Sequence, residues 1–542
     1  KTGRNVGRGE IMEMSRIAII KVRGSQDVEF SVPAPIRAAL PLIGATGLRD
    51  RIEANRGQVF LPNMVLPYLA ALCQRHDDSR GIKRDYMLID EPGSNLIGWD
   101  WDIDVAMFTV STTNCIATYE VADQARSRGV KVVMGGIHVS MVPQEAAAHA
   151  DAIVIGEAEG VIGRLLDDLD AGNTATAYEG GRTASLAGLP VPAWDLGVTP
   201  IGRKPGRDGR NAVDYAPWVI PVQTSRGCRN ACRFCSTTMY QGAQRRHRPV
   251  ADIVNEIKTL QASGILTGAH TVFFTDNNIV SDSDHRKGIR DTNYAKSLFQ
   301  GLMGLGITWV GQGEITVGED PELVDLMARS GCHMLLIGME AISPEALRGA
   351  GKQVTTPDRY ASCLATLHDH GIANIGCFIM GLDGQGIEAF KPTEDFINRH
   401  VDVPQISVLT PFPGTALYSK LESERRILSR DWSLYDISHV VIQPDRLTPA
   451  ELEDNYALLL SRVYSVKNMI ARATTYAFRP TINGMPSFGA ATRFSSVLAP
   501  NIVYRTLSGV ARGLPADIFA GAGAPVNVRR RVIHDNAFQE AS

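Results

Sequence analysis

Three cysteines fall within eight positions, in the run Thr224-Ser-Arg-Gly-Cys228-Arg-Asn-Ala-Cys232-Arg-Phe-Cys235, and no other feature constrains this chain as much. With eight cysteines in 542 residues there are far too few for a disulfide scaffold, so the crowding points to a reducing compartment and a metal. Three thiolates spaced C-x3-C-x2-C after a strand-like run can wrap one face of a compact iron–sulfur cluster and leave one iron without a protein ligand. Such an open iron is a coordination site, by the logic that separates catalytic from closed structural zinc. A structural zinc would want a fourth ligand. His247 is the convenient extra, whereas Cys332, Cys363 and Cys377 stand singly in later repeats.

Around this motif, from Trp218 to Phe412, apolar runs alternate with helical patterns. The candidate strands are Val219–Thr224, Thr271–Phe274, Thr308–Gly311, Met334–Ile337, Ile375–Met380 and Ile406–Leu409. Six strand-then-helix repeats predict a (β/α) part-barrel of the TIM type with its chemistry at the strands' carboxyl ends. An earlier block, Ile17 to Leu169, follows the same α/β grammar. Val105–Val110 reads as a buried strand, Ser111–Asn114 as a polar turn, and Ile116, Tyr119, Ala122 and Ala125 as a helical stripe ending at Gly129. Lys131–Met134 and Ala152–Ile155 are further strands, closed by Gly135-Gly136 and Gly156. That order predicts a doubly wound open sheet with its ligand at the carboxyl edge.

The expected layout is therefore α/β: residues 1–16 a tag or disordered start, 17–169 the first α/β domain, 170–217 a linker, 218–415 the part-barrel and 416–542 a mainly helical region. Thr448-Pro-Ala-Glu451 is a capping box that opens a helix of this last part. A net charge of -3 gives no global attraction to a polyanion, so no nucleic-acid partner is expected. No apolar run approaches the ~20 residues of a membrane span, so no transmembrane segment and a cytoplasmic location are expected. The Arg245-Arg-His-Arg248 run is expected as surface charge, with an anionic group or an electron donor as its other reading. Ser487 to Val528 mixes apolar residues with arginine and is expected to cover the barrel mouth or to touch a lipid.

The motif Cys228-x3-Cys232-x2-Cys235, with Phe234 before its last cysteine and a six-repeat barrel behind it, resembles the radical S-adenosylmethionine (SAM) superfamily. The resemblance implies a [4Fe–4S] cluster on these three cysteines whose open iron chelates SAM, and one-electron cleavage of SAM to a 5′-deoxyadenosyl radical. It implies SAM contacts from Asp276 and Asn277 at the end of the second strand, although the usual Gly-Gly-Glu is absent there. Gln312 and Glu314 close the third strand, and Glu340, closing the fourth, resembles the residue that contacts the ribose or methionine part of SAM.

The stretches Val132–His138, Pro143–Asp151 and Ile155–Glu159 resemble the cobalamin-binding domain that precedes the barrel in one large radical SAM class. That implies cobalamin contacts from Ser111, Thr112, Thr113, Gly135, Gly136, His138, Gly156 and Glu157. The D-x-H-x-x-G motif that brings histidine to cobalt occurs nowhere in the chain, so His138 is expected as a loop or tail contact. The class, including the hopanoid C-2 methylase type that Tyr456–Ser465 resembles, implies C-methylation of an unactivated carbon. A small-molecule or lipid-like substrate and a low-potential donor such as flavodoxin or ferredoxin go with it. The alternative keeps the cluster and SAM but ends in cyclisation, rearrangement or desaturation. A zinc-stabilised binding module without turnover is the reading from a different class.

Overall fold

Side chains of alternating direction on a strand buried on both faces require a layer of helices on each side, and strand β1 (Arg16–Arg23) is such a strand. Its Ile17 and Ile19 enter one core, its Ala18 and Ile20 another. The computed structural model describes residues 16–23, 30–31, 58–59, 63–197, 219–268, 270–352, 356–481 and 489–507. The expectations for the start of the chain, for residues 198–217 and for residues after 507 lie outside them.

The first sheet is parallel throughout, in the order β4-β1-β5-β6-β7-β8. Its further strands are β4 (Asp85–Pro92), β5 (Val105–Thr109), β6 (Lys131–Gly135), β7 (Ala152–Gly156) and β8 (Ala177–Gly181), and β2 (Phe30–Ser31) pairs with β3 (Gln58–Val59) in a separate ribbon. Helices α1 (Val65–Arg80), α2 (Gly93–Leu96), α3 (Cys115–Ser127), α4 (Ile137–Met141), α5 (Pro143–Ala147) and α6 (Ile162–Asp170) connect them. Leu66 and Leu72 of α1 and Leu165 and Leu166 of α6 cover one face, while Tyr119 and Val121 of α3 cover the other. The expected linker thus begins too early, because β8 lies inside it. Ala177-Tyr-Glu-Gly-Gly181 offers only Tyr178, 2% exposed, as a buried anchor, too little pattern to read as a strand.

The second sheet is also parallel and runs in chain order: β9 (Val219–Val222), β12 (Thr271–Phe274), β13 (Thr308–Gly313), β14 (Cys332–Glu340), β15 (Ala373–Met380) and β16 (Val403–Val408). The loop after β9 holds the short ribbon β10 (Ser225–Arg226) and β11 (Arg246–His247) and helix α7 (Ser236–Gln241). Helices α8 (Val250–Ala262), α9 (Asn293–Leu302), α10 (Pro321–Arg329), α11 (Pro344–Gly349), α12 (Tyr360–Asp369) and α13 (Phe390–His400) cover the convex side. Leu335, Ile337 and Met339 of β14 point into that helical layer.

The alternate residues Met334 and Leu336 point inward, with Val310, Ala373, Ile375 and Val403. After α14 (Ala416–Ser423) and α15 (Pro449–Val463), helices α16 (Val466–Phe478) and α17 (Ala490–Leu507) meet this concave side through Ala473, Tyr476, Phe494, Val497 and Leu498. Because those partners lie in the amino-terminal halves of the strands, α17 floors the part-barrel. The described part of the stretch expected at the mouth is therefore at the opposite end, held there by its apolar face. Among the described residues no helix is long and apolar enough to cross a membrane.

Candidate functional site

The ribbon β10–β11 pins the base of the cysteine loop, with Ser225 opposite His247 and Arg226 opposite Arg246. Gly227 sits at φ +92°, where a Cβ would lie 2.3 Å from the Gln244 carbonyl oxygen, so only glycine fits. Within the loop the Cys228 amide donates to Gly242 O at 3.2 Å and the Cys235 amide to Cys232 O at 3.2 Å. Arg233 ties the loop outward, donating to Ala350 O and accepting from the Leu417 amide. The three thiols are half-buried and unpaired, a donor set that fits a cluster bound through one face. Burial pushes the Cys232 thiol up to about 12, and Lys352 pulls it the other way.

Lys352 was not read from the sequence. It is held at the end of β14 by Glu340 at 2.6 Å and by the Gly338 carbonyl at 2.5 Å. Glu340 adopts φ +61°, a conformation rare outside glycine, and this turns its carboxylate toward Lys352. These two opposite charges stand where the fourth strand ends.

Asp276 is fully buried, and its carboxylate accepts from the Thr224 amide at 3.0 Å, the Thr224 hydroxyl at 2.7 Å and the Ser225 hydroxyl. Arg245 lies 3.8 Å away. The expected SAM contact is thus committed to the base of the cysteine loop, because both of its oxygens are engaged there. Asn277 accepts from Thr237 and donates to Gln241, each at 2.9 Å. Gln312 is half-buried in β13, its carbonyl accepting from the Ile279 amide. Glu314 accepts from Asn230 of the cysteine loop (3.1 Å), Asn278 (3.2 Å), Thr316 (2.9 Å) and His285 (3.0 Å). Burial raises its pKa, but these donors outweigh that and hold it below the ordinary value.

The Arg245–Arg248 run is not surface charge. Arg245 and Arg248 are 8% and 5% exposed, paired with Asp282 and Glu256, and His247 meets Asp282 at 3.0 Å. Asp282 lies 37 and 35 residues beyond Arg245 and His247, and Glu256 is on the following helix, eight residues beyond Arg248, so the run alone reads as solvated.

On the first domain, Ser111 and Thr113 stand half-buried at the carboxyl edge, and the Ser111 amide donates to Asn114 at 2.8 Å. Thr112 is buried against His138 Nδ1 at 3.2 Å, and His138 Nε2 meets Glu145 at 3.2 Å. Both ring nitrogens are engaged and the side chain is fully buried, so in this structure the ring is turned to Thr112 and Glu145. Gly136 (φ +109°) and Gly156 (φ +86°) serve the fold: an added Cβ would meet Val110 O at 2.6 Å and Gly181 O at 2.3 Å. Gly135, by contrast, has room for a Cβ at ordinary contact distance. Ser111 and Thr113, whose hydroxyls lie 3.4 Å apart, and Gly135, whose carbonyl accepts from the Val110 amide at 2.8 Å, are half-buried at this edge, and polar groups of this kind fit the amide-rich rim of a corrin.

The two carboxyl edges meet. The Tyr240 hydroxyl donates to Gly156 O at 3.2 Å, Glu157 pairs with Arg226 and Arg246, and Gly414 packs on Met141. Trp432, Tyr240 and Arg226 were missed in the sequence and Arg246 was read there only as part of a charged run, because partners 69 to 287 residues away leave no local signal.

The Radical SAM superfamily description matches residues 222–397 and the B12 binding domain description residues 98–166. Bacteriochlorophyllide d C-8(2)-methyltransferase of Chlorobaculum tepidum is 31% identical over 408 residues, covering 73% of this chain and 85% of that protein. The C-12(1)-methyltransferase of the same organism is 29% identical over 390 residues, 72% and 81% of the two chains. The solved structure of the radical SAM methyltransferase TsrM from Kitasatospora setae, with cobalamin and a [4Fe-4S] cluster bound, superposes with a TM-score of 0.56 at 15% identity over 92% of this chain and 100% of that one, which is a likeness of fold. The chain therefore belongs to the cobalamin-binding radical SAM methyltransferase family, whose cofactors are a [4Fe–4S] cluster, SAM and cobalamin.

Proposed function

We propose that this enzyme methylates an unactivated carbon of a small ring-bearing or lipid-like molecule, with a bacteriochlorophyllide-type tetrapyrrole as the first substrate to test. The relatives named above act, by their names, on bacteriochlorophyllide d. One observation carries the reading toward methylation: the ligand edge of the first sheet is docked onto the loop that bears the three cysteines. Two reacting centres held together in this way convert an encounter in solution into a step within one complex.

When bound, the cluster and SAM supply the 5′-deoxyadenosyl radical, and cobalamin supplies the methyl group. In this chain Cys228, Cys232 and Cys235 hold the cluster, while Asp276 and Asn277 fix the loop that presents it. Glu340 and Lys352 are the charged pair placed to meet the charged amino-acid end of SAM. Ser111, Thr113 and Gly135 hold the corrin rim, and His138 fastens the turn that carries them. A cytoplasmic location and a flavodoxin or ferredoxin donor suit eight unpaired cysteines and a cluster that requires low-potential electrons.

The test is anaerobic turnover of the reconstituted, cobalamin-loaded enzyme with methyl-labelled SAM and the tetrapyrrole. Labelled product with 5′-deoxyadenosine and S-adenosylhomocysteine in comparable amounts is expected. Deoxyadenosine with an unlabelled, ring-closed or desaturated product would transfer the assignment to the alternative chemistry.

A further inference from the structure

Four charges join the two domains, Glu157 and Arg226 buried and Glu159 and Arg246 half-buried. Glu157 and Glu159, in the loop after β7, face Arg226 and Arg246, which sit on opposite strands of the ribbon that closes the cysteine loop. Arg246 grips Glu157 with both terminal nitrogens, at 2.5 and 2.9 Å. Arg226 reaches Glu157 at 3.1 Å and Glu159 at 2.6 Å, its guanidinium lying 5.7 Å from the centre of the Tyr68 ring. The Tyr68 hydroxyl donates to Glu159 at 2.6 Å, and the Thr183 amide donates to Glu157 at 2.8 Å. Two carboxylates against two guanidiniums leave the cluster neutral, and the partners hold both acids below their ordinary pKa against the upward pull of burial.

Planar guanidiniums bound by fork geometry fix direction as well as distance. Arg226 lies two residues before Cys228, so a shift of the Glu157 loop is passed to the first cluster ligand through one short, rigid backbone segment. We infer that Glu157, Glu159, Arg226 and Arg246 are positioning residues that set the distance and tilt between the corrin edge and the iron–sulfur loop. Glu157 accordingly acts through the arginines and not as a cofactor contact. The inference rests on the reading that cobalamin occupies the first domain's edge.

The experiment compares the full chain with its Glu157→Gln and Arg226→Lys variants, each of which keeps size and removes charge or fork geometry. Hydrogen exchange is first measured on the cofactor-free chains. Amides of residues 223–247 should exchange about ten-fold faster or more in both variants, with the barrel strands unchanged. The loaded proteins are then examined by electron paramagnetic resonance in the reduced state. The magnetic coupling between cob(II)alamin and the reduced cluster should be weaker and more widely distributed in the variants, at equal iron and cobalamin content. Unchanged exchange and unchanged coupling in a folded variant overturn the proposal, and if one variant does not fold the other decides. Failure of the parent chain to retain cobalamin would overturn the cobalamin reading instead, and the exchange result on the unloaded chains would still decide whether the charges hold the loop.

Discussion

Trp432 donates its indole N–H to Glu145 at 3.0 Å, joining residues 287 apart in the chain. The same carboxylate holds His138, whose ring meets the Trp432 ring edge-on at 5.5 Å between centres. The segment after the barrel thereby braces the turn that follows β6. Trp432→Phe keeps most of the ring and deletes the donor, so the chain should lose about 1–3 kcal/mol. Calorimetric melting of the parent and the variant checks this, and equal midpoints would remove the brace from the account.

Each of Cys228→Ala, Cys232→Ala and Cys235→Ala should abolish reductive SAM cleavage and most cluster incorporation. Cys73→Ala, at a thiol buried in the first domain's core, should keep iron and sulfide at the parent level of about four each. Iron and sulfide analysis after anaerobic reconstitution decides, and stoichiometric zinc in the parent would contradict the cluster assignment.

Asp276→Asn replaces one acceptor oxygen with a donor that faces the Thr224 amide and hydroxyls that already point inward. One or two buried hydrogen bonds to a charged group are lost, on the order of 2–5 kcal/mol locally. Cluster content should fall with no change in the first domain. A variant with full iron content and weakened SAM binding would instead return Asp276 to the role first expected of it.

The ring of His138 carries a pH prediction. Burial holds it below the ordinary histidine value, outweighing the upward pull of Glu145; Thr112, Trp432 and Tyr119 are its uncharged neighbours. The unfolded chain therefore binds the extra proton first, and stability falls as pH drops below ~6.5. His138→Gln should flatten this slope. Denaturant midpoints at about pH 7.5 and about pH 5.5 test it, and an equal slope in the variant would assign the dependence elsewhere.

What the sequence disclosed follows from range. The cysteine spacing and strands such as Thr271–Phe274 are encoded by neighbours, so spacing and apolar runs suffice to find them. Asp276 finds its partners at Thr224 and Ser225, more than 50 residues back, and Arg246 finds Glu157 at 89. No local pattern separates such buried charges from solvated ones. Helix α17 was misplaced for the same reason: Phe494, Val497 and Leu498 announce an apolar face without announcing which end of the barrel it meets.

That helix has a consequence for how the enzyme is made. Domains fold as they leave the ribosome, amino-terminal parts first. Both sheets and the cysteine loop are thus synthesised before the segment that seals the underside of the barrel exists. During that interval the concave surface around Val310, Leu336 and Ile375 is open from below, an apolar furrow that stays uncovered until Ala473, Tyr476 and Val497 arrive to fill it.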